Sequence, residues 1–227
     1  MTGITRFDAI LFDLDGTLVD TAPDMVRALF EVQATEGGQP IDYELARSHV
    51  SHGAAGLIGL AFPDSDDKTL ERLRLKFLDV YEASVCMHST LFPDMEGLLD
   101  RLDDAGFAWG VITNKPERMT GPLMAALDID TRAACMISGD TLPLRKPDPA
   151  PLLLASEKIG TPPDRCVYIG DAARDIQAGL AAGMLTVAAG YGYVTPDDDP
   201  ASWNAHELVA TTEELTHLIL KGVNLTS

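Results

Sequence analysis

Two aspartates one residue apart, Asp13-Leu14-Asp15, stand directly after the apolar run Phe7 to Phe12 and lead into Gly16-Thr17-Leu18. A carboxylate fixed at a strand end can attack phosphorus and form an aspartyl-phosphate. A second carboxylate two residues on can protonate a leaving alcohol and later deprotonate a water. Gly16 lets the chain turn sharply beneath a phosphate. A lone D-x-D would be read as a solvated acidic turn, but the preceding strand and the G-T-L continuation argue for a built site.

Three further groups have the same form, an apolar run ending in reactive side chains. Asp171 follows Cys166 to Gly170, with Asp175 four residues on and hence on the same side of an opening helix. With Asp13 and Asp15 they supply hard oxygen ligands or their supporting partners for Mg2+, Asp171 being expected as a direct ligand and Asp175 as a residue behind it. Asp175 alone could equally be a first-turn acid facing the helix dipole. Thr113-Asn114-Lys115-Pro116 ends another apolar run, and its hydroxyl and main-chain N–H groups could hold phosphate oxygens. Taken alone it would be a helix cap. Arg145-Lys146-Pro147-Asp148-Pro149 carries a lysine in a proline-fixed loop, where Lys146 can be aimed at phosphoryl charge.

The elements that must position these residues are legible from periodicity. Phe7 to Asp13, Phe107 to Thr113, Ala134 to Ser138, Arg165 to Gly170 and Leu185 to Ala189 are of strand length. Helical patterns lie between them at Met95 to Ala105, Pro116 to Leu127, Pro149 to Ile159 and Arg174 to Ala182, with Gly106, Gly160 and Gly183 as stops. Alternation of this kind predicts an α/β fold, a doubly wound Rossmann-like parallel sheet. Residues 21–87 break the rhythm with amphipathic helical stripes only: Met25, Val26, Leu29 and Phe30, then Leu70, Leu73, Phe77, Leu78, Tyr81 and Val85. The stripes read as core rather than binding site. They predict a small helical cap over residues 19–88, inserted after strand one into a core of 1–18 and 89–227. Its hinges fall near Gly16 to Asp20 and His88 to Pro93. The run Ser51-His52-Gly53-Ala54-Ala55-Gly56 is the best candidate for substrate contact from the cap, including His52 and Gly53, although His52 reads more readily as an exposed loop histidine.

Composition narrows the classes. With 46% hydrophobic and 23% charged residues the chain of 227 is an ordinary globular one. Its formal net charge of −18 speaks against nucleic acid or an anionic membrane as partner. No apolar run reaches membrane-spanning length, and a cytoplasmic location is expected. The three cysteines, Cys86, Cys135 and Cys166, form neither a disulfide framework nor a zinc pattern.

Taken as an ordered set, these residues resemble the four motifs of the haloacid dehalogenase superfamily. Asp13 and Asp15 match the first, Thr113 the second, Lys146 the third, and Asp171 with Asp175 the fourth. The resemblance spans about residues 7 to 190 and is nearest the phosphoglycolate phosphatase type. Residues 88–93, 109–116 and 190–193 are also similar to N-acetylmuramic acid 6-phosphate phosphatases. It implies an Mg2+-dependent phosphomonoesterase acting on a small phosphorylated metabolite. The implied catalytic residues are Asp13, Asp15, Thr113 and Lys146, the implied substrate contacts Gly16, Thr113, Asn114, Lys146, His52 and Gly53. The implied metal residues are Asp13, Asp15 and Asp171, backed by Asp175. Many relatives carry Ser or Thr after the fourth-motif aspartate, where this chain has Ala172, so altered metal affinity is expected. A sugar phosphomutase on the same core, or a noncatalytic binding protein on an inherited fold, are the competing expectations.

Overall fold

A computed structural model describes residues 7–223. The first strand, β1 (Ala9–Phe12), is buried along its whole length and lies at the centre of a six-stranded parallel sheet. An all-apolar strand of this kind is stable only with both faces covered. The neighbours are β4 (Ala108–Ile112) and β5 (Cys135–Ile137) on one side, and β6 (Cys166–Gly170), β7 (Leu185–Ala189) and β8 (Glu207–Val209) on the other, in the order β5-β4-β1-β6-β7-β8. The chain therefore winds outward from β1, then crosses back to begin again at β6. Such a reversal opens a crevice at the C-terminal strand ends, where α/β sheets bind ligands.

The crossover helices are α5 (Met95–Asp104), α6 (Glu117–Ala126), α7 (Ala150–Ile159) and α8 (Ala173–Ala181), with α9 (Thr212–Gly222) following β8. Each of the first four matches its expected span to within a residue at either end. Gly106, Gly160 and Gly183 do end their elements at positive φ, 63°, 76° and 75°. The pair β8 and α9 was not anticipated from the sequence.

Four helices, α1 (Ala22–Glu36), α2 (Tyr43–Ser48), α3 (Gly53–Ala61) and α4 (Asp67–Glu82), fill the expected insertion, with α4 packed on α1 and α3. Asp42 and Asp66 cap α2 and α4 by accepting the N–H groups of Leu45 and Thr69 at 2.8 Å. Val26, Leu29, Leu73, Phe77, Leu78 and Tyr81 are buried, as the stripes predict. Phe30 is not: it is 36% exposed and lines a surface hollow with Gln33, Ala34 and Ile41. Pairing joins the two segments expected as hinges. β2 (Val19–Asp20) and β3 (Thr90–Leu91) form a two-stranded antiparallel ribbon, which fixes both chain crossings side by side. Among the described residues no helix is long and apolar enough to cross a membrane.

Candidate active site

Asp13 is the first residue beyond β1, and its burial (3% exposed) is a consequence of the central position of that strand. Its Oδ1 accepts the Leu14 N–H at 2.7 Å and lies 2.9 Å from Lys146 Nζ. Lys146 comes from the loop between β5 and α7 and is itself 3% exposed. Its ammonium also meets Asp175 Oδ1 at 2.7 Å and donates to the Ile112 carbonyl at 3.0 Å and the Tyr168 hydroxyl at 2.8 Å. Saturation of this kind aims the lysine rigidly. Asn114 holds the loop, since its side chain bonds both the N–H and the carbonyl of Lys146 at 3.1 and 3.0 Å.

Asp171, 1% exposed at the end of β6, sits in a tight cradle. Its Oδ2 accepts the Tyr193 N–H at 2.9 Å and the Ser51 hydroxyl at 2.5 Å. Gly16, at φ 80°, passes so close that a Cβ there would strike the Asp171 carboxylate. This is the physical reason for glycine after Asp15. Asp175 Oδ2 accepts the Ala172 N–H at 3.1 Å, and so closes the first turn of α8 without help from a hydroxyl at 172.

Asp13, Asp171 and Asp175 each offer an oxygen within 4.8 Å of the others, all three buried. Among the described residues Lys146 and Arg174 face these three carboxylates, so negative charge is in excess. Burial pushes the Asp13 carboxyl up to about 7 although Lys146 opposes it. Burial and then Asp175 push Asp171 up to about 6. A cluster of hard oxygen donors with uncompensated charge fits a small divalent cation. The grouping differs from the expected ligand set: Asp175 lies within it, while the Asp15 carboxylate lies outside. Asp15 is instead held on one oxygen, Oδ1, by the Thr21 hydroxyl at 2.6 Å and Lys115 Nζ at 2.9 Å.

Over these strand ends lies a cavity of about 700 Å³. Asp13, Asp15, Thr113 and Asn114 form its floor, and Ser51 to Ala55 with Phe77, Leu78 and Tyr81 form the opposite wall. Thr113, His52 and Gly53 thus line one cavity with Asp13 and Asp15. Thr113 Oγ1 accepts the Lys115 N–H at 3.1 Å, so its own proton remains available for a ligand. The α4 stripe proves to be both core and wall, since one helix face can serve two purposes at once. Partial burial and the Arg174 charge hold the His52 imidazole below its ordinary value, which leaves it neutral at pH 7.

Cations at this cavity escaped the sequence reading, Lys115, Arg145 and Arg174 among them. Lys115 is buried under Tyr81, Arg174 donates to the Ser51 carbonyl at 2.6 Å, and Arg145 stands at the cavity edge. The signal available was a cation set between reactive residues, as in T-N-K-P and D-A-A-R-D, but its partner in each case lies far off in sequence.

Comparison with known proteins agrees with this geometry. A family model described as haloacid dehalogenase-like hydrolase matches residues 7–183. A phosphoglycolate phosphatase of Xanthomonas campestris pv. campestris is 44% identical over 207 residues, covering 91% of this chain and 94% of that protein. An N-acetylmuramic acid 6-phosphate phosphatase of Pseudomonas aeruginosa is 40% identical over 215 residues, covering 94% of this chain and 95% of that one. A crystal structure described as a predicted phosphoglycolate phosphatase from Haemophilus somnus superposes with a TM-score of 0.81 at 28% identity, covering 94% and 100% of the two chains.

Proposed function

We propose that this chain, which belongs to the haloacid dehalogenase-like hydrolases, is an Mg2+-dependent phosphomonoesterase of the phosphoglycolate phosphatase type. We take residues 19–88 as its cap and the rest as its catalytic core. The observation that carries the reading is Asp13 at the end of β1, on the cavity floor, 2.9 Å from a buried lysine and grouped with two further carboxylates.

In this reading an Asp13 carboxylate oxygen attacks phosphorus as the bond from phosphorus to the ester oxygen breaks. The departing oxygen takes its proton from Asp15. Asp15, now ionised, accepts a proton from water as that water's oxygen attacks phosphorus. The bond to Asp13 then breaks, inorganic phosphate leaves and both aspartates return to their starting states. Lys146 and the Thr113 hydroxyl hold negative charge on the phosphoryl oxygens. Asp13, Asp171 and Asp175 would hold the Mg2+, which supplies charge neutralisation for the incoming phosphate. The helices α1 to α4 cover the cavity and limit access of bulk water to the intermediate.

The cavity favours a second reading of the substrate. At about 700 Å³ it lies in the range of pockets that enclose ring-bearing ligands, roughly 300–1,000 Å³, whereas phosphoglycolate is a two-carbon acid. Phe77, Leu78, Tyr81 and Met119 give it an apolar wall suited to a sugar face. N-acetylmuramic acid 6-phosphate, the substrate named for the Pseudomonas relative, meets that demand. The deciding experiment measures kcat/KM for phosphoglycolate, N-acetylmuramic acid 6-phosphate and glucose 6-phosphate. A preference of about tenfold or more, about 1.4 kcal/mol of transition-state discrimination, assigns the substrate. Equally poor rates on the first two would defeat both readings.

A further inference from the structure

We propose that Lys115 is a positioning residue for the leaving-group proton. It holds one oxygen of Asp15 from beneath the Tyr81 ring, so that the other oxygen carries the proton to the ester. The proposal rests on Asp15 being the acid/base of the reaction described above.

Both donors that reach Asp15 converge on a single atom. Lys115 Nζ and Thr21 Oγ1 bond Oδ1 at 2.9 and 2.6 Å. Oδ2 receives no donor from the described residues, and Asp15 lines the cavity. An oxygen that already accepts two hydrogen bonds is a poor place for a proton, because the added hydrogen would face the donors. The transferable proton is thereby confined to Oδ2.

Lys115 is set up for this, with Asp15 and Tyr81 as the partners of its ammonium among the described residues. It is 7% exposed, and Asp15 is the carboxylate it pairs with. Tyr81, contributed by α4, covers its other side with the ring centroid 4.4 Å from Nζ. Burial pulls the ammonium down, but Asp15 and then Tyr81 hold it above the ordinary lysine value, so it stays charged. The other groups facing this cluster are neutral or already engaged. Burial pushes the Tyr81 phenol up to about 12. Asp24 Oδ2 accepts the N–H groups of His88 and Ser89 and the Ser89 hydroxyl. Asp13 is committed to Lys146. Lys115 and Asp15 both stand at strand ends of the sheet, and α4 reaches the pair through the Tyr81 ring.

A merely structural ion pair would affect all substrates alike, whereas a proton-positioning one must follow the leaving group. The test compares kcat/KM for p-nitrophenyl phosphate, whose phenolate departs without a proton, with that for a primary alkyl phosphate. The alkyl ester is the better of phosphoglycolate and N-acetylmuramic acid 6-phosphate. Lys115→Met is expected to lower the alkyl value at least about tenfold more than the aryl value, within the range of general-acid effects. Lys115→Arg is expected to recover that ratio to within about threefold of the unaltered protein. Equal losses on both esters would overturn the proposal. If Lys115→Met does not fold by circular dichroism, Tyr81→Leu decides, since stripping the covering ring must shift the ratio in the same direction by about threefold; an unchanged ratio there also overturns it. Asp15→Asn runs alongside. If it depresses both esters equally, the acid/base reading has failed rather than the role of Lys115.

Discussion

On the sheet side of the cavity Asp13, Lys146 and Asp171 are buried, and each is held by several partners. Lys146 alone contacts two carboxylates, a carbonyl and a tyrosine hydroxyl. On the helical side the wall is largely apolar, and the polar contacts that tie it to the floor include Thr21 to Asp15, Ser51 to Asp171, Arg174 to the Ser51 carbonyl, and Lys115 beneath Tyr81. The contrast teaches where chemistry and selectivity reside. Groups that must stabilise charge are pre-organised on strand ends, where burial strengthens each interaction. The surface that meets the rest of the substrate is free to vary.

The strongest way to break this comparison is to remove the charge on the floor. Asp13→Asn keeps the side chain's shape but not its nucleophilicity, and kcat is expected to fall by more than about a hundredfold with cooperative unfolding retained. Residual activity above that level would move the nucleophile elsewhere. Lys146→Met should cost activity on a similar scale and also stability, because it leaves Asp13 and Asp175 buried without their cation. Breaking a buried pair in this way costs about 3–5 kcal/mol, readable as a drop in the urea midpoint. An unchanged midpoint would show the lysine to be expendable to the fold.

Next in size is the response to metal and pH. The Asp13 and Asp171 carboxyls lie above the ordinary 3.8 in the folded protein, so the folded state binds more protons than the unfolded one. In chelator, stability is therefore expected to be highest below about pH 3.8 as far as these groups decide it, and to be lost as pH rises through about 6 and 7. Mg2+ should raise Tm more at pH 8 than at pH 5, abolish this slope and restore activity, whereas Ca2+ should inhibit. An equal Tm gain at both pH values would contradict the carboxylate cluster as the metal site.

The smallest effects are expected where the helical side touches the floor. Ser51→Ala removes one donor from Asp171, and the Mg2+ concentration for half-maximal activity should change by a few-fold at most, about one hydrogen bond's worth. Ala172→Ser should change it less still, because Asp175 already accepts the Ala172 N–H, and far less than Asp171→Ala. A loss of activity on Ser51→Ala comparable with that of Asp171→Ala would place the helical side within the catalytic machinery and dissolve the contrast.

The same division explains what was legible in the sequence. Asp13, Asp15, Thr113 and Asp171 each follow an apolar strand, and the abrupt change of character marks a strand end, whereas Lys146 is marked by the prolines of its loop. Periodicity located β1, β4, β5, β6 and β7 and the helices between them for the same reason. What escaped depends on partners distant along the chain. The ribbon of β2 and β3 joins segments some seventy residues apart, each only two residues long, too short for any period to show. Lys115 reads as the residue before a helix until Asp15 and Tyr81 are brought to it. The bonds from Thr21 and Lys115 to the Asp15 carboxylate likewise exist only in three dimensions. Tyr81 and Phe77 read as core because apolar stripes do not state whether the space they face is filled.

The central claim, that Asp13 carries the phosphoryl group, is tested most directly by trapping it. Turnover of the preferred ester with Mg2+ by the Asp15→Asn protein is quenched in acid, and the peptide spanning residues 7–18 is examined by mass spectrometry. Without a base to activate water the intermediate should accumulate, so a phosphoryl adduct on Asp13 is predicted, absent in Asp13→Asn. A phosphoryl adduct on any other residue, or none in a protein that still turns over, would contradict the account.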